Sequence, residues 1–242
     1  LMVWVTKVTL RNLAKQDIRL IWVRVGAEIC TTIAFLTALK YMPLANVTAI
    51  LQALPLAVTM AAALFLAEPI GWRRWSAILV GFMGVLIVVR PGLDDFNVYS
   101  LSALAAIIFI TVREIATRKL AQEVPTITVV LSTAIGSAVF AGIMMVGTEW
   151  RAVSTSSWLL LIGAAFAVLI ATLLSVMAMR TGDIGFVSPF RYTAMLGAIG
   201  LGILMFGEWP DQPTLAGTLI IVITGIYTFH REQKISRRGT AS

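Results

Sequence analysis

The sequence predicts an all-α membrane protein: an inverted repeat of five-helix bundles, with eight complete transmembrane helices present of an expected ten. Three observations predict it. Eight charge-poor apolar stretches fill nearly all of the 242 residues, Lys and Arg collect in every second gap between them, and a shift of 140 residues lays the later spans on the earlier ones.

The stretches follow in order. Leu20 to Leu39 carries Arg24 and Glu28; Tyr41 to Ala67, Trp75 to Val89, Phe96 to Val112, Val124 to Thr148 and Ala152 to Met179 carry no charge. Ile184 to Gly207 carries Arg191, and Gln212 to Phe229 is again charge-free. Each approaches the ~20 residues that cross ~30 Å of hydrocarbon at ~1.5 Å per residue. The shorter ones gain reach because Arg73, Arg74 and Arg90 can snorkel from their ends.

Composition excludes other classes. With 59% hydrophobic and 13% charged residues and a mean hydropathy of +0.90, a soluble domain could not hide so many uncharged runs. The runs lack the two-residue alternation of β-barrel strands. A net charge of +7 is spread over short loops and one tail, so it reads as orientation signals and contacts with the lipid bilayer, not as a nucleic-acid surface. Cys30 is the one cysteine and lies inside a span. It is read as a small core residue, since one thiol makes neither a disulfide framework nor a cysteine metal site.

Basic residues fix the orientation. Lys7, Arg11, Lys15, Arg19, Arg73, Arg74, Arg113, Arg118, Lys119, Arg180, Arg231, Lys234, Arg237 and Arg238 fall on one side, against Lys40, Arg90 and Arg151 on the other. The richer side is cytoplasmic by the positive-inside rule, which places both chain ends there. The opening LMVWVT is too short to span and lacks a charged n-region and a cleavage site, so it reads as the last turns of an earlier helix.

The shift of 140 lays Ala38-Leu39-Lys40 on Ala178-Met179-Arg180, Val47 on Val187, Leu64 on Leu204 and Glu68 on Glu208, with Trp72–Arg90 on Gln212–His230. Matched spacing carries this repeat more than matched letters do. The expected divisions are a first repeat at 1–92 lacking most of two helices, a second at 93–231, and a basic cytoplasmic tail at 232–242. Five spans per copy invert the second copy, an arrangement that holds a solute near the midplane between the halves.

The segment ALKYMPLANVTAILQALPLAVTMAAALFLAEPIGWRRW, followed by GFMGVLIVVRPG, resembles the first repeat of EamA-type drug/metabolite transporters. PFRYTAMLGAIGLGILMFGEWPDQPTLAGTLIIVITGIY resembles the second repeat. The resemblance rests on a proline after the third span, Glu68 and Glu208 at matched helix ends, and the glycine-containing helices that follow. It implies a secondary transporter of the inner (plasma) membrane that exports or exchanges small metabolites: amino-acid-like, nucleoside-like or vitamins such as riboflavin. No cofactor is implied, and a homodimer is compatible with it. The first two helices of the family contribute to its central cavity. Their absence leaves the alternative of a truncated, non-transporting membrane protein that acts as an assembly partner or regulator.

Six residues are candidates for the chemistry. Arg191 lies about seven residues into its span, roughly 10 Å deep, where an ionisable group faces a cavity, a partner or the head groups. Pro189 frees backbone carbonyls nearby, and Tyr192 offers a hydroxyl and a ring for a planar solute. Gln52 and Asn46 carry amides that must face protein or solute; the repeat sets Gln52 opposite Tyr192, and Pro55 marks a kink. Glu28 is the acid well inside a span and the candidate proton carrier, because burial raises a carboxyl pKa. Arg24 stands four residues earlier on the same face, can pair with Glu28, and lies near enough to the cytoplasmic edge to snorkel.

The remaining polar residues are read as structural. Glu68 and Glu208 cap helices or pair with nearby basic groups. Asp94-Asp95 is a solvated turn, and Arg113 and Glu114 sit at the cytoplasmic interface. Trp22 and Tyr41 anchor at the membrane surface. Ser132-x-x-x-Gly136, Ala138-x-x-x-Gly142 and the glycines at 197, 200 and 202 permit close helix packing. An enzyme is not expected. His230, the one histidine, lies in the tail, and neither HExxH nor GxxxxGK[ST] occurs.

Overall fold

The computed structural model describes residues 14–66, 71–90, 97–147, 154–181, 197–207 and 209–239. These residues form helices and connections without a strand. Helix α1 is Lys15–Tyr41, α2 Leu44–Leu51, α3 Leu54–Phe65, α4 Trp72–Val89, α5 Ser100–Lys119, α6 Thr126–Met144, α7 Thr155–Thr181 and α8 Gln212–Gly239. Residues 197–201 are helical and pass into a π-helical turn at Gly202–Phe206. Gly207 ends it in the left-handed conformation at φ 67°, which costs glycine little.

Five helical segments are long and apolar enough to cross a membrane: Lys15–Tyr41, Leu44–Phe65, Ser100–Lys119, Thr126–Met144 and Ser157–Met177. Trp75–Val89 and Gln212–Tyr227 are shorter apolar helices. Helices therefore occupy seven of the eight predicted stretches. The eighth, Ile184 to Gly207, is described only over 197–207.

Local chemistry sets the boundaries. Pro43 and Pro125 cap α2 and α6 at φ −54° and −63°; a proline disfavours helix in the residue before it and starts one readily after it. Pro55 stands in the first turn of α3. Having no N–H, it cannot serve the Leu51 carbonyl, and the span from Leu44 to Phe65 breaks at Gln52-Ala53. Helix α5 continues beyond Val112 to Lys119, and Glu114 is 2% exposed on it. Its last turn ends in Arg118 and Lys119, cations that suit the negative end of a helix dipole.

The chain divides into two compact units, each drawing on both early and late parts of the sequence. One comprises the described parts of Leu1–Ile29 and Ala116–Gly182. Its core joins Ile21 and Val25 of α1 to Val129 and Val130 of α6 and Val176 of α7. A Cβ on Gly136 would collide with Val25, so this glycine admits α1 close to α6. Beyond that core, α7 turns Leu159, Leu160, Phe166 and Val168 outward, a surface suited to hydrocarbon and not to water.

The other unit comprises the described parts of Cys30–Ile115 and Asp183–Ser242. Its core gathers Val47, Ile50, Leu56, Ile78, Val85, Ile107 and Ile221. Helices α4 and α8 run antiparallel and nearly touch backbone to backbone. A Cβ on Gly217 would lie 2.6 Å from the Gly84 carbonyl oxygen, and one on Gly84 would lie 2.8 Å from that of Gly217. Gly81 leaves room for the Leu56 side chain in the same way.

Gly217→Ala is expected to lower stability by on the order of 1–3 kcal/mol, the range for overpacking against groups that cannot yield. Gly163→Ala, with open space at its Cβ, is expected to be neutral or stabilising by up to ~1 kcal/mol. Thermal unfolding midpoints in one detergent compare the two.

Candidate functional site

Three polar places stand out among the described residues, one in mid-span and two nearer helix ends. The first is the break between α2 and α3. Gln52 caps α2 there and is 6% exposed. Its N–H is shared between the carbonyls of Thr48 and Ala49 at 3.1 and 3.2 Å, and Ala53 donates to Ile50 at 3.0 Å. The ladder thus tightens just before Pro55 interrupts it. A discontinuous helix carrying a buried amide in the middle of an apolar span offers backbone and side-chain polar groups at one depth.

The second place lies in the α1–α6 unit. Arg24 is 3% exposed and does not snorkel. Its Nε donates to Thr117 Oγ1 at 2.9 Å and its Nη1 to Thr133 Oγ1 at 2.6 Å. Thr133 in turn donates to the Val129 carbonyl at 2.9 Å, which leaves its oxygen lone pairs for the guanidinium. An arginine cannot shed its proton here, so fixed acceptors from α5 and α6 keep it tolerable in a water-poor setting. Glu28, one turn on, is half-buried at the midpoint of α1. Toward the helix start, buried Asp17 accepts the Ala121 N–H at 3.1 Å, tying α1 to the turn after α5.

The third is a pocket of about 230 Å³ in the α4–α8 unit, lined by Met42, Asn46, Arg90, Asn97, Ser100 and Asp211 among others. Arg90 pairs with Asp211, joining the end of α4 to the start of α8. Asp211 Oδ1 accepts the Thr214 N–H at 3.0 Å, and the Thr214 hydroxyl donates to Asn46 Oδ1 at 3.3 Å. Asn97 donates to the Tyr41 carbonyl at 3.0 Å, and the Tyr41 ring stacks on Tyr99 at 4.0 Å. Partial burial pushes the Asp211 carboxyl up, but hydrogen bonds from Thr214 and the Arg90 guanidinium outweigh it and hold the group below the usual carboxylate range.

The predicted residues therefore fall into separate places. Asn46 belongs to the helix-end pocket and Gln52 to the mid-span break, while Arg24 and Glu28 share a face of α1. Arg191, Tyr192, Pro189, Glu68, Glu208 and Asp94-Asp95 lie outside the described residues. Sequence reasoning missed the Arg90–Asp211 pair as site residues. Spacing carried a signal for one member: Asp211-x-x-Thr214 is a helix-capping pattern. Cys30 is half-buried within α1.

Thr117→Val and Thr133→Val are each expected to cost about 1.5–3 kcal/mol, the range for hydrogen bonds to a charged group. Much of that cost is expected to vanish in an Arg24→Met background, as a double-mutant cycle would read. The Asp211 carboxyl is lowered by folding, so its stabilisation is full above the ordinary carboxylate pKa and is lost as pH falls through the lowered value. The unfolding midpoints of the parent and Asp211→Asn are expected to differ by a constant amount from about pH 8 to about pH 5, and to converge below about pH 4.

The family profile described as EamA-like transporter family matches residues 1–90 and 98–229. The riboflavin transporter of Vibrio cholerae serotype O1 is 32% identical over 84% of this chain and 69% of its own length. The S-adenosylmethionine uptake transporter of Rickettsia conorii is 27% identical over 83% and 68%, and the pseudopaline exporter CntI of Pseudomonas aeruginosa is 25% identical over 88% and 76%. A solved crystal structure of a protein has a TM-score of 0.65 at 20% identity, covering 88% of this chain and 76% of that one, which shows a shared fold. With several helices apolar enough to span and a family profile covering most of its length, this multi-pass membrane protein belongs to the EamA-like transporter family.

Proposed function

We propose that the chain moves a small organic metabolite across the inner (plasma) membrane by alternating access between two inverted repeats, 1–92 and 93–231, with its ends and the 232–242 tail cytoplasmic. The observation that carries this reading is the break at Gln52-Ala53, which sets a buried amide in the middle of an apolar span in a chain of a transporter family. The inverted relation is supported by α4 and α8. The shift of 140 residues makes them equivalents, and they pack antiparallel.

In this reading Gln52 contacts the solute, with Arg191 for an anionic group and Tyr192 for a planar one. Asn46 stands about six residues from Gln52, roughly 9 Å along the rise, at the outer mouth of the path. Glu28 carries the coupled proton, with Arg24 beside it to hold the local charge balance. The relatives act on riboflavin, S-adenosylmethionine and pseudopaline; these and amino-acid-like, nucleoside-like and vitamin solutes are the set to screen.

Purified protein in liposomes is expected to accumulate or release at least one of them, with a rate that depends on a pH gradient. Gln52→Ala is expected to raise the apparent KM about tenfold, the loss of one hydrogen bond of ~1–1.5 kcal/mol. Glu28→Gln is expected to retain binding and lose the pH dependence. Transport by Glu28→Gln with the parent's pH profile would remove the proton-carrier role. Failure of the parent to move any solute would favour the assembly-partner reading.

A further inference from the structure

We propose that the Arg90–Asp211 pair is a latch that holds shut the extracytoplasmic helix ends of the α4–α8 unit and must part in each transport cycle. This rests on the transport reading above and adds a gate to it.

Placement suits a gate. The latch and its companions join chain segments far apart in sequence: Tyr41 to Asn46, Arg90, Asn97 to Ser100, and Asp211 to Thr214. Each lies in or beside a gap that the distribution of Lys and Arg assigns to the extracytoplasmic side. One cluster therefore gathers the outer ends of α1, α2, α4, α5 and α8.

The space beneath the pair is able to open. Close-packed side chains do not fill this end; a pocket of about 230 Å³ with a largely polar lining does. Parting the pair admits water to groups that already hydrogen-bond and disturbs little apolar packing. A few residues away, the Gly84–Gly217 contact is backbone against backbone and cannot open without dismantling the core.

Two arginines differ in how firmly they are held. Arg24 is 3% exposed and bound by two hydroxyls, so freeing it would strand a buried charge. The Arg90 and Asp211 side chains are 15% and 46% exposed, so their separation is offset by hydration. Partly exposed pairs contribute modestly and exchange readily with solvent. Of the two, Arg90–Asp211 is the more exposed and the readier to part.

Arg90 caps α4 at φ 52°, ψ 53°, the one described residue other than glycine with positive φ. A side chain is disfavoured there; the Arg90 N–H closes the cap on the Leu86 carbonyl, and Asp211 is one of the groups that hold the side chain. The Asp211 carboxyl stays ionised at ordinary pH, so solute binding and helix movement, not external protons, are left to part the pair.

The test uses the full chain with Cys30→Ser, which removes its single cysteine. Ser100 lines the pocket and is 2% exposed. In liposomes, Ser100→Cys is expected to react slowly with a membrane-impermeant maleimide. Adding Asp211→Asn or Arg90→Gln is expected to speed labelling at least tenfold. The charge swap Arg90→Asp with Asp211→Arg is expected to restore slow labelling, which separates latch loss from misfolding.

Separately, Arg90→Cys with Asp211→Cys is bridged by a short bis-thiosulfonate reagent. Bridging is expected to abolish counterflow of riboflavin or S-adenosylmethionine, whichever the unbridged protein carries, and to slow amide exchange over 97–104. Reductant is expected to restore both. A merely structural tie would leave counterflow intact when bridged, and that result overturns the latch, as does labelling of Asp211→Asn at the parent rate. If the unbridged protein carries neither solute, the transport reading fails for them, and the labelling and exchange rates decide the latch by themselves.

Discussion

The α4–α8 unit depends on the approach of two backbones at Gly84 and Gly217. In hydrocarbon, apolar side chains gain little by leaving lipid for protein, so helices associate through close van der Waals contact and small residues at the crossing. The rest of the unit follows from that contact. With α8 held against α4, Ile221 reaches Ile78, Val85 and Val88, and Leu56 of α3 seats itself over Gly81. The antiparallel course then brings the end of α4 to the start of α8, where Arg90 and Asp211 meet. A side chain at either glycine would remove the geometry on which the core and the outer pair both rest.

Polar groups in the molecule are graded by how much water they can reach. Arg24 has little, and α5 and α6 each supply a hydroxyl to it. Asp17 has a backbone N–H at the α5–α6 turn. Glu114 lies beside Arg113, with 3.6 Å between the charged atoms. Arg90 and Asp211 keep one side toward solvent. The gradient separates fixed ties from movable ones: removing a partner from a buried charge costs far more than parting an exposed pair.

Spans were legible in the sequence because hydrocarbon tolerates few uncompensated charges, and an uncharged run as long as Ala152 to Met179 fits little besides a bilayer. The kink was legible because Pro55 lacks the hydrogen that helix geometry requires. The fate of individual charges was less so. Arg24 reads as able to snorkel or to pair with Glu28; the structure also binds it to the hydroxyls of Thr117 and Thr133, more than 90 residues away. The uncharged run ends at Val112, but α5 continues to Lys119 and Glu114 is 2% exposed on it. Asn46 reads as an amide that must face protein or solute, and its partner is Thr214 at the start of α8. For Arg24 and Asn46 a partner lies on another helix, so local pattern names the group and not its role.

The same packing decides where movement can occur. Helices α4 and α8 are locked by backbone contact along their crossing, whereas α7 buries little of its length within its unit and leaves Leu, Ile and Phe side chains exposed. Local opening follows low packing density and interrupted hydrogen-bond ladders. Those interruptions sit at Gln52-Ala53 and at the π-helical turn Gly202–Phe206. A helix that bends at such a point redirects its outer half while its inner half stays packed. Bending at Gln52 would carry Asn46 and the start of α2 away from Thr214 and so load the Arg90–Asp211 pair. In the transport reading proposed above, the buried amide at the break and the Asn46–Thr214 bond at the helix ends are joined by six residues of α2, a short lever through which occupancy at one would bear on opening at the other.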